Sequence, residues 1–342
     1  MMADSGADPV SANPMLASLL AQGRPVHGLD LAGLDARGLK LQRAVFNACN
    51  LSGARFDAAQ LQGVCFAGCA LEAASFAGAK LTQVSLSGGS LVASRWLGAQ
   101  LSQSALTNMA LSGSDWRCAQ LQRCGLTSCS LVCSRWCDAQ LERCVFAPAD
   151  WRGAELSGLQ ARTCSFIAAQ LENQAWPGAR LLRCSLPEAQ FTNMDLSGAD
   201  FTETQLIRAQ LRQVRLSGLK APRSLWADAQ LYEVWLDQAQ LETAVFKGAQ
   251  LKQVSLREAD LRCSIWQHSR HEAVSFEHAD LSLADCAHMQ GRGLDFAQAC
   301  MSHVNVHQAQ WQGRALSAEQ QHTLRVTNAD LARAEARSLE FA

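Results

Sequence analysis

The sequence carries an apolar residue at every fifth position, in a register that runs from Val26 to Leu316 without insertion or deletion. Of the 59 positions in this register, only His271 and Gly291 are not apolar, although the chain as a whole is 48% hydrophobic. An α-helix repeats every 3.6 residues and a β-strand every two, so an unbroken period of five means that the chain turns after every unit. The register therefore predicts a coil of very short straight segments joined by corners.

We call the periodic residue i. The position two residues earlier, i−2, carries mostly small side chains, while positions i−1, i+1 and i+2 carry nearly all of the charge. Most of the 23 glycines lie at i+2, where a tight turn tolerates unusual backbone angles. The pattern predicts that positions i and i−2 are buried and that the other three face water.

Units such as ADLRC at 259–263, ADLSL at 279–283 and GADFT at 198–202 follow the consensus A-(D/N)-L-x-x. On these units the chain resembles the pentapeptide-repeat proteins over residues 26–316. The resemblance implies an all-β solenoid, a right-handed quadrilateral β-helix of about 14 coils, in which four pentapeptides make one coil. The sequence departs from the consensus in its preference for Gln over Asp or Asn at i−1.

In such a coil, residues 20 positions apart are predicted to stack on one another. Tryptophans and leucines at i then form files inside the solenoid, and cysteine at i−2 takes the place of alanine as a small buried side chain. The predicted structural core includes Leu121, Trp136, Leu141, Cys124, Cys144, Trp96, Trp116 and Trp176.

Helix signals flank the periodic segment on both sides. Residues 1–25 are predicted to be a flexible N-terminus with a short capping helix at about 14–22, and residues 26–316 to be the solenoid. Residues 317–342 open with SAEQ, which resembles a capping box, and are predicted to form a helical cap or a degenerate last coil. A homodimer formed through one end of the solenoid is left open, because an uncovered end presents a bare strand edge.

Two groups of outward side chains are candidates for chemistry. The chain holds 14 cysteines without a recognisable secretion signal, so we expect reduced thiols in a cytoplasm, with Cys118 and Cys137 as the one pair to test for a bond. His268 and His288 lie 20 apart at i+2, and His307 is close to that file. These three form a predicted surface patch that a metal ion or a pH change would affect, against the plainer interpretation of a solvated polar file.

Composition and motifs narrow the class of function. A net charge of −1 offers no general attraction to nucleic acid or to anionic membranes, and no apolar stretch is long enough to span a bilayer. No nucleophile elbow, phosphate-binding loop or metalloprotease motif occurs, and a filled solenoid has no pocket for a substrate. We therefore expect a protein that is not an enzyme and that needs no cofactor or metal.

An interaction scaffold is the function that remains. Residues 19–41, LLAQGRPVHGLDLAGLDARGLKL, resemble the lead-in of pentapeptide-repeat proteins associated with bacterial type VI secretion. That resemblance implies a cytoplasmic accessory that handles an effector, with a secretion effector or a spike component as its protein partner. The alternative is a DNA-mimicking pentapeptide-repeat protein that binds DNA gyrase and protects it from quinolones, which the near balance of acids and bases disfavours.

Overall fold

A computed structural model describes residues 14–339, which divide into an N-terminal unit ending at Gln174 and a C-terminal unit beginning at Ala175. Each unit is an all-β parallel solenoid, and together the two units contain about 14 coils, which confirms the predicted fold class. Residues 1–13, where the flexible N-terminus is predicted, and residues 340–342 lie outside the described residues.

The N-terminal unit opens with helix α1 (Pro14–Ala21), at the place where the sequence predicts a short helix, and Leu16 of this helix is buried. Short strands follow. They are β1 (Val26–His27), β2 (Lys40–Gln42), β3 (Val45–Asn47), β4 (Gln60–Gln62), β5 (Cys65–Ala67), β6 (Lys80–Thr82), β7 (Ser85–Ser87), β8 (Gln100–Ser102), β9 (Ala105–Thr107), β10 (Gln120–Gln122), β11 (Gly125–Ser130), β12 (Gln140–Glu142), β13 (Val145–Asp150), β14 (Gln160–Arg162), β15 (Ser165–Phe166) and β16 (Gln170–Glu172). The odd-numbered strands β1 to β13 form one parallel ladder and the even-numbered strands β2 to β14 form a second.

The C-terminal unit contains one long parallel ladder, β18 to β24, in chain order. Its strands are β17 (Arg180–Leu182), β18 (Gln190–Thr192), β19 (Gln210–Arg215), β20 (Gln230–Trp235), β21 (Gln250–Ser255), β22 (Arg270–Ser275), β23 (Gln290–Leu294) and β24 (Gln310–Gly313). Helices α2 (Ala318–Thr323) and α3 (Ala329–Leu339) follow the last strand. None of the helices in the described part of the chain has the length and apolar character needed to cross a lipid bilayer.

Both helical and coil-like features occur in the segment after residue 316. Ser317 Oγ accepts from the Gln320 N–H, and the Gln320 side chain accepts from the Ser317 N–H, so the capping box is present. The Gln320 amide also donates to the carbonyl oxygens of Phe296 and Ala299 at 2.8 and 2.9 Å, which fixes α2 against the preceding coil. Arg325, between the two helices, still pairs with Asn305 in the 20-residue register.

The ladders pair residues that lie 20 apart in the chain. Leu121 lies opposite both Leu101 and Leu141, and in the C-terminal unit Leu231 lies opposite Leu251. The coils are thus 20 residues long and made of four five-residue sides, as the period predicts, with a register shift between β23 and β24 where Leu294 pairs with Gly313. Because four five-residue sides make one 20-residue coil, each position of the repeat stacks on the same position in the next coil.

The side chain at i−1 separates two kinds of side. Asp195 and Asp280 each accept a hydrogen bond from the backbone N–H two residues later, at 3.0 and 2.9 Å, and their sides contribute only a single bridge and then turn. Half of the 24 strands in the described residues instead begin at a Gln at i−1, for example Gln60, Gln120 and Gln250. Gln at i−1 is therefore frequent on sides whose backbone enters a ladder, although Gln205 and Gln240 lie at single bridges.

The corner residue at i+2 takes the left-handed backbone conformation in both glycine and other residues. Gly53 has φ +66°, where glycine carries no steric penalty. Arg143 has φ +53° in a corner of the same kind. Glycine is therefore favoured at i+2, but the ladder on either side of the corner holds other side chains there as well.

Positions i and i−2 form the core. The rings of Trp96, Trp116 and Trp136 stack nearly parallel, with centroids 4.5 and 4.8 Å apart, which is the spacing of neighbouring strands. All eight residues of the predicted core are buried. The interior of each coil is filled by side chains.

Five core tryptophans end a Ser-x-Trp unit whose serine is buried at i−2. In each unit the tryptophan Nε1–H donates to the serine Oγ two residues earlier, at 2.7 to 2.9 Å. The units are 94–96, 114–116, 134–136, 224–226 and 264–266. Trp151 and Trp176 follow Ala149 and Gln174 instead, and their Nε1 atoms have no hydrogen-bond partner among the described residues. The serine is thus the residue that satisfies a buried indole.

Replacing this serine should expose its contribution to stability. Ser134→Ala leaves the Trp136 Nε1–H buried without an acceptor, so we expect the free energy of unfolding to fall by roughly 1–3 kcal/mol. Conversely, Ala149→Ser offers an acceptor to Trp151, and we expect a gain of about 1 kcal/mol. Chemical denaturation measures both changes. Ala139→Ser, which precedes Leu141 and meets no indole, is the control; a gain as large as that of Ala149→Ser would contradict the interpretation.

Candidate functional site

An open groove of about 1110 Å³ runs along the outer face of strands β19 to β24 in the C-terminal unit. Its floor is the strand backbone, and its sides are the outward side chains at i−1 and i+1 of successive coils. The i−1 side chains are Gln210, Gln230, Gln250, Arg270, Gln290 and Gln310, and the i+1 side chains are Arg212, Tyr232, Lys252, Glu272, Arg292 and Gln312.

Positive charge is in excess along this groove. Lys252 and Glu272 pair at 3.4 Å across one coil step. Arg212, Arg270 and Arg292 form no ion pair with another described residue, and all three are exposed. Amide groups at i−1 add donors and acceptors without charge. The groove is chemically suited to an extended ligand that carries carboxylates.

Two unusual core residues lie beneath one part of the groove. His271 is buried where the register usually places leucine; its Nε2 lies 2.8 Å from Ser269 Oγ, and burial lowers the pKa of the imidazole to about 3. Ser269 and His271 thus repeat the Ser-x-Trp arrangement with a smaller ring. At Gly291, one coil later, the Leu294 side chain fills the space that a side chain would take.

The three predicted patch histidines are brought together, but one of them is not on the surface. The rings of His268 and His288 stack at 4.6 Å with an interplanar angle of 9°, and His307 meets His288 edge-on at 5.4 Å. His268 is exposed and His288 is half-buried, whereas His307 is buried. The predicted exposure of His307 is wrong because a residue of α3 lies over its ring.

That residue is Glu335, which the fivefold pattern gives no means of finding. Its carboxylate lies 3.2 Å from His307 Nε2 and 3.5 Å from His288 Nε2, and it accepts a hydrogen bond from the Gln308 side chain at 2.8 Å. The hydrogen bond with His307 lowers the pKa of the Glu335 carboxyl. Asn328 donates its backbone N–H to His307 Nδ1 at 3.2 Å. The end of the solenoid and α3 therefore meet at a cluster of two imidazoles and one carboxylate.

Cys118 and Cys137 are neighbours, yet both thiols are free. The Cys118 N–H donates to the Cys137 carbonyl oxygen at 3.0 Å, so the two backbones lie side by side as predicted. The Cys137 Sγ, however, is half-buried and lies 4.0 Å from the carbonyl oxygen of Glu155. The structure places this thiol beside the next coil rather than in a bond.

The inward cysteines are held by backbone carbonyls. Cys144 Sγ donates to the Leu121 and Glu142 carbonyl oxygens at 3.4 Å, and the Cys144 N–H donates to Cys164 Sγ at 3.3 Å. The hydrogen bond with Cys144, together with burial, raises the pKa of Cys124. These thiols are packing groups and poor nucleophiles, because a buried thiol stays protonated.

Comparisons with known proteins agree with the fold. A model described as a pentapeptide repeat region matches residues 39–116, and a model of pentapeptide repeats matches residues 164–202, 188–218 and 227–262. A search of curated protein sequences found no match.

A search of solved structures found several matches. A trypsin-treated form of QnrB1, a plasmid-mediated fluoroquinolone resistance protein, is 17% identical over 58% of this chain and 88% of its own, with a TM-score of 0.25. HetL, a pentapeptide repeat protein involved in heterocyst differentiation regulation from the cyanobacterium Nostoc sp. strain PCC 7120, is 19% identical over 85% and 94%, with a TM-score of 0.21. Tailspike protein 3 of bacteriophage CBA120 is 10% identical over 95% and 59%, with a TM-score of 0.32. With TM-scores this low, the overlays carry no argument about function.

Thiol reactivity should follow burial. Cys118, Cys133, Cys263 and Cys300 are exposed, whereas burial raises the pKa of Cys69 to about 11 and shields its sulfur. We expect a thiol reagent at pH 8 to modify the exposed group rapidly and the buried group only after denaturation. Counting modified thiols by mass spectrometry, with Cys118→Ala as the control that removes one rapid site, measures this. Rapid labelling of Cys69 in the folded protein would contradict the assigned register.

His271 should make stability depend on pH. Its folded pKa of about 3 lies below the ordinary value of 6.5, so the unfolded chain binds the proton and stability falls as the pH falls between these values. From pH 7 to pH 5 we expect a loss of about 2 kcal/mol from this residue. Urea denaturation of His271→Phe should lack that part of the loss, while the exposed His268→Gln should retain it. Equal pH slopes for His271→Phe and the unaltered protein would contradict the assignment.

Proposed function

Since the chain belongs to the pentapeptide-repeat family, we propose that it is a non-enzymatic scaffold that binds a protein partner on an outer face of its solenoid. The observation that carries this proposal is the open groove along β19 to β24, which presents outward side chains from six successive strands. The core positions of the described coils are filled by side chains, so recognition falls to the outer faces.

The charge of the groove defines the partner surface. Arg212, Arg270 and Arg292 offer guanidinium groups that no described carboxylate pairs, and guanidinium binds carboxylate with two parallel hydrogen bonds. The amide side chains of the glutamines between them can donate to and accept from the main chain of a bound partner. We infer a partner segment that is extended and acidic.

In its narrower form, the proposal makes this partner an effector or spike component of a bacterial type VI secretion system, which the protein handles in the cytoplasm. The support for this form is the lead-in at residues 19–41, whose G-L-D-L-x-G-L-D pattern resembles that of secretion-associated members of the family. Successive coils that present a charged groove suit an accessory that holds its cargo along a line.

Mimicry of DNA is a less suitable role. A DNA mimic requires a continuous negative surface, whereas many of the acids here are neutralised by neighbouring arginines. Glu203, for example, lies between Arg183 and Arg223 at 2.7 and 2.6 Å. We therefore expect neither inhibition of gyrase supercoiling nor protection of gyrase from a quinolone at low micromolar protein.

Affinity capture from a bacterial host that carries the protein tests the scaffold and its face together. We expect one protein to be retained, and Arg212→Glu combined with Arg292→Glu should reduce its retention at least about tenfold because the reversed charges repel an acidic segment. The matched control is Arg180→Glu combined with Lys220→Glu, two exposed basic residues outside the groove.

The possible results distinguish the general scaffold function from its narrower form in type VI secretion. If the partner is still retained after the groove charges are reversed, the partner binds another face of the solenoid. If no partner is recovered, the scaffold proposal is wrong. Mass spectrometry of the retained protein decides the narrower form, which fails if neither an effector nor a spike component is found. Recovery of gyrase subunits would instead favour DNA mimicry.

A further inference from the structure

We propose that His288, His307 and Glu335 bind one divalent transition-metal ion, for which Zn²⁺ is the natural probe. The three side chains come from two successive coils and from helix α3, and their ligand atoms lie within 4.8 Å of one another. This is a binding site beyond the scaffold role, because it joins the solenoid to its C-terminal helix.

The Glu335 carboxylate lies near the spacing that four-coordinate zinc requires from each imidazole, and small side-chain shifts would bring the three ligand atoms, which lie within 4.8 Å of one another, to that spacing. Zinc bonds of 2.0 to 2.1 Å at tetrahedral angles hold neighbouring ligand atoms about 3.3 Å apart. Glu335 lies 3.5 Å from His288 Nε2 through one carboxylate oxygen and 3.2 Å from His307 Nε2 through the other. Two imidazoles and one carboxylate are a donor set that zinc accepts, with a water molecule in the fourth position.

The surroundings hold each ligand in place. His268 stacks on His288 at 4.6 Å and limits the rotation of that ring. Gln308 donates to the Glu335 carboxylate at 2.8 Å and orients it toward the histidines. His307 is buried, so a metal bound to its Nε2 would be shielded from water on the side of the coil. Ligands fixed in this way lose little freedom when the ion arrives.

Metal binding would require a change of tautomer at His307. Its Nδ1 accepts the Asn328 N–H, so the neutral ring carries its proton on Nε2, where it faces Glu335. A metal ion takes the place of that proton, which moves through solvent to Nδ1, and the bond from Asn328 is given up. The hydrogen bond from Asn328 to Nδ1 and the hydrogen bond from Nε2 to Glu335 are thereby exchanged for metal–ligand bonds to three groups.

A metal ion at this site would hold α3 against the last coils. Residues 288 and 307 stand in the last coils, and residue 335 lies in the helix that covers them. A ligand that binds only the folded arrangement stabilises it in proportion to its affinity and concentration. Zn²⁺ is therefore expected to raise the melting temperature, and to do so through Glu335.

The test uses untagged, full-length, reduced protein whose accessible thiols have been alkylated, so that cysteine cannot compete for the metal. Titration calorimetry with Zn²⁺ should show one site. Co²⁺ should give the visible absorption of a four-coordinate nitrogen and oxygen site without a thiolate charge-transfer band. Glu335→Gln and His288→Gln should each weaken Zn²⁺ binding at least about tenfold and remove the rise in melting temperature.

His278→Gln is the matched control, because His278 is an exposed histidine that also lies near a carboxylate, with its Nε2 3.7 Å from Glu277. It should bind Zn²⁺ like the unaltered protein. Absence of a saturable site would overturn the proposal, as would equal affinity in Glu335→Gln and His278→Gln. Both Glu335→Gln and His288→Gln alter groups that are partly exposed, and circular dichroism of the metal-free variants establishes that they fold.

Discussion

The parallel ladder with its 20-residue step is the constraint on which the rest of the structure depends. It brings each residue opposite the one a coil later, as Leu121 lies opposite Leu141, and so fixes side-chain spacing to strand spacing. The stacked rings of Trp116 and Trp136, 4.8 Å apart, show that even the largest core side chains obey this step. Long-range packing thus follows from a short local repeat, since each coil rests only on its neighbours.

A core built in this way satisfies several of its buried polar groups with partners that the repeat itself supplies. The serine at 134 and the indole at 136 satisfy one another within a single unit, and the serine at 269 does the same for His271. Where the unit lacks its serine, as at Trp151, the indole N–H has no partner among the described residues. Residues two positions apart are thus coupled inside the coil, because one satisfies the hydrogen bond of the other. A search for apolar residues alone does not detect this coupling.

The fivefold register predicts the parts of this protein that obey it. The inward direction of Cys124, the stacking of His268 on His288 and the length of the coil all follow from counting residues. Glu335 could not be found in this way, because α3 leaves the register and its position depends on how the helix folds back over the coil. The burial of His307 has the same cause: the register places this side chain outward, and the helix then covers it.

The C-terminal helices also determine what the last coil can bind. A solenoid end leaves strand groups unpaired, and such an edge recruits other strands. Here the Gln320 amide occupies the carbonyl oxygens of Phe296 and Ala299, and the backbone at Arg325 pairs with the coil at Val304 and Val306. A second copy could add its own strands at this end only by displacing these groups. Contacts between α3 and the histidines oppose that displacement. The cluster that suits a metal ion therefore lies beside the groups that cover the sheet edge.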